Sequence, residues 1–285
     1  MEDSEIRILG EGDRAELDRF LGETPDTAMF LRSNLRQSGI VDAGKPYQGT
    51  YVGIFDAGQL TGVAALYWNG NMMFQCATAD AVQLANQTLA AALPRACTGL
   101  LGPGALLEEV IALPPFSLRR ARMASRQDLY ALDLSDLSAE MQMLARVRPA
   151  TTKDRETLAG WRHDYLCETL GAEPGDATRR RAGEEIARAI DEDRAFVLAM
   201  ADNLLAYAGF NATLPDMVQV GGVYCPPAER GLGYARAATQ GALLAARARG
   251  VKRAILFTAE DNIAAKRCYE SLGFRRVGDY GIVIY

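Results

Sequence analysis

Residues 223–235 read Val-Tyr-Cys-Pro-Pro-Ala-Glu-Arg-Gly-Leu-Gly-Tyr-Ala, an apolar strand that stops at two prolines and leads through two glycines into a helix. Proline has no backbone N–H and cannot extend a strand ladder, so Pro226 and Pro227 fix the end of the strand. Gly231 and Gly233 permit positive φ and close approach of a ligand to the backbone. The unpaired N–H groups and the dipole at the start of a helix favour an anion. The stretch therefore predicts a cradle for a diphosphate.

Two familiar diphosphate motifs do not fit this stretch. A P-loop requires a lysine directly after its second glycine, and no lysine follows either glycine here. The dinucleotide fingerprint Gly-x-Gly-x-x-Gly/Ala begins at Gly231 but would place its third small residue at Arg236, where a long side chain obstructs helix–strand packing. An NAD-dependent oxidoreductase is therefore the third-ranked interpretation. What remains is the form Arg/Gln-x-x-Gly-x-Gly/Ala, present as Arg230-Gly231-Leu232-Gly233-Tyr234-Ala235.

A second motif lies downstream, where residues 262–274 read Asn-Ile-Ala-Ala-Lys-Arg-Cys-Tyr-Glu-Ser-Leu-Gly-Phe. Taken alone, the first motif is equally well an ordinary glycine-containing connection before a helix. Together, the two resemble the coenzyme A pyrophosphate loop and the closing Asn-x-x-Ala-x-x-x-Tyr-x-x-x-Gly-Phe signature of the GNAT superfamily, the acyl-CoA-dependent N-acetyltransferases. They occur in the family's order, separated by one helix and one strand. The resemblance covers about residues 145–285.

Strand and helix signals in the C-terminal half follow the order of a GNAT fold. Gly250 and Gly273 are predicted to end two of the helices. The predicted elements are strand 144–148, helices from 151 to about 170 and 179–191, strands 195–200, 204–214 and 217–224, the cradle helix to about 249, strand 253–258, the helix from 262 and strand 277–285.

The N-terminal half echoes this order, with three meander strands at 51–55, 62–68 and 72–77, but it lacks both motifs. The predicted fold class is therefore α/β (α+β), with two GNAT-like domains, each a mixed, mostly antiparallel sheet flanked by helices. Residues 1–140 are predicted to be a degenerate GNAT-like domain, and residues 141–285 the catalytic N-acetyltransferase domain.

Composition excludes several classes of protein. The 285 residues carry a net charge of −5 at a sequence pI near 5.2, which argues against a nucleic-acid partner. Five scattered cysteines and one histidine offer no metal motif, and they predict a reduced, cytoplasmic setting. The acidic amino terminus has no apolar signal core, and no apolar run approaches membrane-spanning length, so no membrane partner is expected.

The resemblance implies acetyl-CoA as co-substrate, with pantetheine held where the strand ending at Tyr224 separates from its neighbour. Gly221 and Gly222 are equally well a β-bulge without a ligand, and Asn262 is equally well a helix N-cap. Further basic residues are candidates for the adenosine phosphates or plain surface charges. The implied cofactor-binding residues are Gly222, Val223, Cys225, Arg230, Gly231, Leu232, Gly233, Tyr234, Ala235 and Asn262, and the further basic residues are Arg236, Lys266 and Arg267.

Tyr269 is the predicted general acid for the departing coenzyme A thiolate, a role that the resemblance favours over aromatic packing. The acceptor ammonium must lose a proton before attack, yet the strand at 217–224 carries no acid. The helix from 151 presents aromatic and acidic side chains at three- and four-residue steps, although such a face is also typical of ordinary amphipathic packing. Glu168 is the predicted general base, with a water relay as the alternative. The predicted substrate-binding residues are Trp161, Tyr165 and Gln219, and His163 is predicted to lie on the surface.

The sequence thus predicts a tandem GNAT-type protein that moves an acetyl group from acetyl-CoA to a primary amine by direct attack in a ternary complex. A non-catalytic acyl-CoA-binding or sensor protein is the alternative. The acceptor is expected to be a small molecule or a peptide, without a metal. The oligomeric state is open, a homodimer being one option.

Overall fold

A computed structural model describes residues 4–140, 146–201 and 203–285. These residues form twelve strands and eight α-helices and divide into two compact units. The first unit comprises Met1–Leu129, Ala259–Asp261 and Val277–Tyr285, and the second comprises Tyr130–Thr258 and Asn262–Arg276. Within the described residues, none of the helices is long and apolar enough to cross a membrane.

The first unit contains a sheet in the order β1-β2-β3-β4-β5-β12, in which β4 and β5 are parallel and the other neighbouring pairs are antiparallel. Its helices are α1 to α4, and β6 crosses the division between the units. The bounds are β1 Ser4–Ile8, α1 Arg14–Glu23, α2 Met29–Ser38, β2 Gly49–Asp56, β3 Gln59–Tyr67, β4 Asn71–Gln75, α3 Ala79–Ala92, β5 Gly99–Pro103, α4 Gly104–Ile111, β6 Met123–Asp133 and β12 Arg275–Ile284.

The second unit contains the strand order β11-β10-β9-β8-β7, in which β10 and β11 are parallel and the other pairs antiparallel. The bounds are β7 Arg146–Pro149, α5 Arg155–Leu170, α6 Asp176–Asp191, β8 Ala195–Met200, β9 Asn203–Thr213, β10 Met217–Tyr224, α7 Tyr234–Ala248, β11 Arg253–Ala259 and α8 Ile263–Glu270. The mixed α/β architecture and the mostly antiparallel pairing confirm the predicted fold class. Residues 144–145 of the first predicted strand in this half lie outside the described residues, as does Asp202 between two predicted strands.

The final strand differs from its predicted place. It was expected to complete the C-terminal domain, yet its residues from Val277 onward lie in the first unit. There β12 pairs antiparallel with β5, from Tyr280 opposite Pro103 to Ile284 opposite Gly99. The assignment of residues 1–140 and 141–285 as a degenerate and a catalytic domain stays a prediction.

The core of the second unit positions α7 beside β10. Val218 and Val220 alternate along β10 and pack in one cluster with Ala238 and Ala242 of α7. At Gly241 a Cβ atom would collide with the side chain of Val147, so glycine allows α7 to approach β7 closely. The helix is therefore held with its first turn at the end of β10.

Candidate active site

The predicted cradle is an open surface of unpaired backbone donors. Gly231 and Gly233 have φ of 82° and 79°, and no heavy atom lies within 4 Å of the place where either Cβ would be. Gly233 is the N-cap of α7 and supplies no side-chain cap. Among the described residues, none accepts a hydrogen bond from the backbone N–H groups of Gly231 to Ala235. These donors lie at the positive end of a 15-residue helix, an arrangement that favours an anion.

The two arginines beside the cradle differ in their partners. Arg236 has a buried Nε without a hydrogen-bond partner in the described part of the chain. Its charge works to lower the pKa of the Cys268 thiol, although burial dominates and raises that pKa to about 11. Arg230 instead donates from Nε to the carbonyl of Cys225 at 3.0 Å and from Nη2 to Glu168 at 2.7 Å. Arg236 is thus the cation available to a ligand, whereas Arg230 fixes the loop.

Strand β10 separates from β11 where the resemblance implies a pantetheine slot. Their parallel pairing runs from Met217 opposite Arg253 to Val220 opposite Leu256. Further along, β10 bulges against β9, and Gly222 takes a φ of 65°. A β-bulge is therefore present in this part of β10, and a bulge is one way to release backbone groups from a ladder.

Tyr269 lies on α8 with its ring packed and its hydroxyl unpaired. The ring makes an edge-on contact with Phe274, with centroids 6.0 Å apart. No hydrogen bond to the hydroxyl occurs within residues 4–140, 146–201 and 203–285. Burial raises the pKa of Tyr269 far above its ordinary value, with smaller contributions from Cys268 and Tyr165. The hydroxyl consequently keeps its proton at neutral pH, as a general acid must.

The acidic and aromatic face of α5 is present, but its carboxylate is engaged. Glu168 is half-exposed and paired with Arg230, so its charge is compensated within the protein. Trp161 packs on Tyr224, with ring centroids 6.2 Å apart. Burial raises the pKa of Tyr224, and the charges of Glu168 and Asp164 raise it further. Tyr224 belongs to this group although sequence reasoning passed over it, since a strand's last residue carries no local signal of its own.

Two further predicted residues have roles within the protein. Gln219 is only 2 % exposed, and its Nε2 donates to the carbonyl of Val220 at 2.8 Å. Its Oε1 is buried and has no hydrogen-bond partner among the described residues. Asn262 is the N-cap of α8, and its Oδ1 accepts from the N–H of Ala265 at 3.1 Å. The oxygen of Asn262 therefore caps the helix, and its amide NH₂ group stays available to a ligand.

His163 is not the surface histidine that the sequence predicted. Its side chain is mostly buried, with Nδ1 3.2 Å from a carboxylate oxygen of Asp164. Its Nε2 lies 3.8 Å from the sulfur of Cys167. Side chains four residues apart on a helix are neighbours, so the spacing of His163 and Cys167 could have indicated their contact on α5.

The corresponding place in the first unit is closed. The parallel pairing of β4 with β5 ends at Met73 opposite Leu101, and the ring of Phe74 lies against Gly102, where a Cβ would collide with it. The helix that follows is capped, because Oγ1 of Thr78 accepts from the N–H of Ala81. The first unit thus presents an aromatic ring and a capped helix instead of a slot and a cradle.

Comparison with known proteins agrees with this geometry. A model of the Acetyltransferase (GNAT) family matches residues 158–274, which include the cradle and Tyr269. A 50-residue stretch is 50% identical to the mycothiol acetyltransferase of Thermobispora bispora, covering 18% of this chain and 17% of that protein's length.

Solved structures resemble the whole chain. The GCN5-related N-acetyltransferase of Sphaerobacter thermophilus superposes with a TM-score of 0.63 at 15% identity, covering 99% of this chain and 95% of that one. A tandem GNAT protein from the clavulanic acid biosynthesis pathway gives a TM-score of 0.55 at 12% identity, covering 99% and 98%. The chain therefore has the GNAT fold, and its residues 158–274 match the model of the acetyltransferase (GNAT) family.

Proposed function

We propose that residues 141–285 transfer an acyl group, in the first place acetyl, from coenzyme A to a primary amine. The observation that carries this proposal is the row of unpaired backbone N–H groups from Gly231 to Ala235 at the start of α7. The unpaired Arg236 beside them suits the paired phosphates of coenzyme A, which need several donors and positive charge. The open space at both glycines leaves room for that group.

Acetyl-CoA, when bound, supplies a thioester whose carbonyl carbon the amine attacks directly. Backbone groups of Gly222 and Val223, released at the bulge, orient the thioester and polarise its carbonyl. The hydroxyl of Tyr269 donates its proton to the departing sulfur. Because a thiolate is a good leaving group, this help need only be modest.

The acceptor ammonium loses its proton through water in our proposal, with Glu168 assigned to the ion pair with Arg230 instead. Trp161 and Tyr165 line the acceptor side on α5, together with Tyr224. Buried Gln219 contributes to the same side its Oε1 oxygen, which has no hydrogen-bond partner among the described residues. A cytoplasmic setting, with an amine-bearing small molecule or peptide as acceptor, completes the proposal.

The test is release of the coenzyme A thiol from acetyl-CoA across a panel of primary amines, with binding of acetyl-CoA measured by calorimetry in parallel. Binding together with amine-dependent thiol release is the expected result. Absence of acetyl-CoA binding would refute the proposal.

The second candidate function is a non-catalytic acyl-CoA-binding or sensor protein. It is favoured by the ion pair between Glu168 and Arg230, which engages the one carboxylate that the sequence proposed as a base. A sensor binds acetyl-CoA without turnover, so binding without thiol release from any amine would select it.

A further inference from the structure

Arg162 on α5 has a guanidinium that is fixed on three sides. Its Nε donates to Oε2 of Glu185 on α6 at 2.7 Å. Its central carbon stands 4.9 Å from the ring centroid of Tyr165. Its Nη1 lies 2.8 Å from the place that a Cβ would occupy at Gly222, in the bulge of β10. A side chain held in this way loses little further freedom when it binds a ligand.

The outer edge of this guanidinium is unused. Among the described residues, neither Nη1 nor Nη2 of Arg162 has a hydrogen-bond partner, although the side chain is only 17% exposed. The other carboxylate oxygen of Glu185, Oε1, accepts a hydrogen bond from Nε of Arg181 at 2.7 Å. Burial works to raise the pKa of Glu185, but the two arginines outweigh it and lower that pKa, so the group is ionised. Arg162 and Arg181 carry two positive charges and Glu185 one negative charge, so the three side chains together have a net charge of +1.

The position of Arg162 connects it with the proposed chemistry. Gly222, which it contacts, lies at the bulge assigned above to the thioester. Tyr165, on which it stacks, lies near enough to Tyr269 to contribute to the raised pKa of that hydroxyl. An anion bound at Arg162 would therefore stand beside the acceptor amine.

We propose that Arg162 binds a carboxylate carried by the amine acceptor, so that the acceptor is an amino acid or another amine with a nearby carboxylate. This inference rests on the proposed acyl transfer to an amine. A planar guanidinium edge with two N–H groups matches the two oxygens of a carboxylate. The single net charge suits a monoanion better than a phosphate dianion.

A purely structural role for Arg162, tying α5 to α6 through Glu185, makes a different prediction. Loss of such a tie would lower stability and slow transfer to all amines alike. Recognition of a carboxylate would instead change the preference between acceptors that differ only in that group.

The experiment compares amino acids with their primary carboxamides as acceptors, in the wild type, in Arg162→Met and in Arg179→Met. In the wild type we expect kcat/KM to favour the carboxylate, and in Arg162→Met that preference should fall by about 10- to 100-fold, as for loss of hydrogen bonds to a charged group. Arg179, on the same helix α6, is 69% exposed and pairs with Asp176 instead of Glu185, so Arg179→Met should change the preference by less than about threefold.

The inference would be overturned if a folded Arg162→Met variant kept the wild-type preference for carboxylates over carboxamides, or if the wild type showed no such preference. Thiol release with the carboxamides would still support acyl transfer in either case. If Arg162→Met does not fold, Arg162→Lys retains the charge without the two-pronged edge and should show the same loss of preference. If no amine is turned over, calorimetry with coenzyme A present decides the matter. If the wild type binds the amino acid and Arg162→Met does not, the inference holds without the proposed acyl transfer. If the wild type does not bind the amino acid, both the inference and the proposed acyl transfer are refuted.

Discussion

At the scale of single residues, Tyr269 shows how burial keeps a side chain protonated. Its hydroxyl has no partner in the described part of the chain, and its raised pKa keeps it protonated far into alkaline solution. A general acid must hold its proton and have an unoccupied hydroxyl before the reaction, and a hydroxyl of such low acidity gives up its proton only as negative charge develops on the departing sulfur. Packing and chemistry are compatible here, because the ring contacts Phe274 while the hydroxyl stays unpaired.

Tyr269→Phe should therefore lower kcat by about 10- to 100-fold, at the modest end of general acid catalysis because a thiolate leaves easily. Affinity for acetyl-CoA should change by less than about threefold, since only the hydroxyl is lost. The matched control is Tyr130→Phe, which removes a hydroxyl already donated to Glu270 at 2.9 Å. Single-turnover rates and calorimetry measure the two effects, and an unaltered chemical step would reduce Tyr269 to a packing residue.

The cradle glycines offer a sharper test of the anion site. Gly233→Glu places bulk and negative charge among the unpaired N–H groups, and we expect affinity for acetyl-CoA to fall by at least about 100-fold. Gly250→Glu is the control at the other end of α7. Gly233 and Gly250 share positive φ, 79° and 94°, and open space around the Cβ position, so backbone strain is similar in both variants.

Calorimetry with both folded variants distinguishes the site from strain. Because an acidic side chain at a helix N-terminus stabilises the helix, loss of binding in Gly233→Glu cannot be explained by destabilisation of α7. If the two variants had equal affinities for acetyl-CoA, the diphosphate would not bind at the start of α7.

At the scale of secondary-structure elements, local sequence patterns predicted most of the strands and helices, but they missed β6 and did not indicate the long-range partners of the strands. Gly250 and Gly273 lie past the ends of α7 and α8 with φ of 94° and 99°, as their positions after periodic segments predicted. The ion pair of Glu168 with Arg230 joins residues 62 positions apart, and no periodicity reports such a contact. The pairing of β12 with β5 is likewise set by tertiary register.

The packing of α7 on β7 makes a prediction about two mid-helix glycines. Gly241→Ala would drive a Cβ into Val147, and we expect overpacking to destabilise the protein by about 1–3 kcal/mol. Gly183→Ala on α6 meets no heavy atom within 4 Å. That control should stabilise by about 0.5–1 kcal/mol, since alanine favours a helix over glycine. Urea unfolding measures both, and changes of the same sign would contradict the close helix–strand contact.

At the scale of the whole molecule, one device recurs in both units where the first strand meets the first helix. Arg7 donates twice to Asp13, at 2.9 and 2.7 Å, and Arg148 donates twice to Asp154, at 2.7 and 2.9 Å. Each aspartate also accepts a backbone N–H three residues earlier, from Gly10 and from Thr151. The same spacing of six residues in both places is what an internal duplication would leave.

This device makes stability depend on pH. The hydrogen bonds from Arg148, with those from Thr151, lower the pKa of Asp154 from 3.8 to about 2. A carboxylate with a lowered pKa in the folded state stabilises that state above the unfolded pKa, and the benefit is lost as the pH falls from about 4 to about 2. Since Asp154 is only 7% exposed, the shift corresponds to about 2 kcal/mol.

Asp154→Asn should therefore lower the free energy of unfolding by about 2 kcal/mol at pH 7 and by much less near pH 2, where the wild-type carboxylate is itself protonated. Asp133→Asn is the control, because its pair with Arg253 at 2.6 Å has a carboxylate that is 60% exposed. Solvent screening limits that pair to about 0.5 kcal/mol. Urea unfolding at both pH values provides the comparison. A loss in Asp154→Asn that stays constant with pH would mean that Asp154 acts through shape and capping, because only the charge of its carboxylate disappears on acidification.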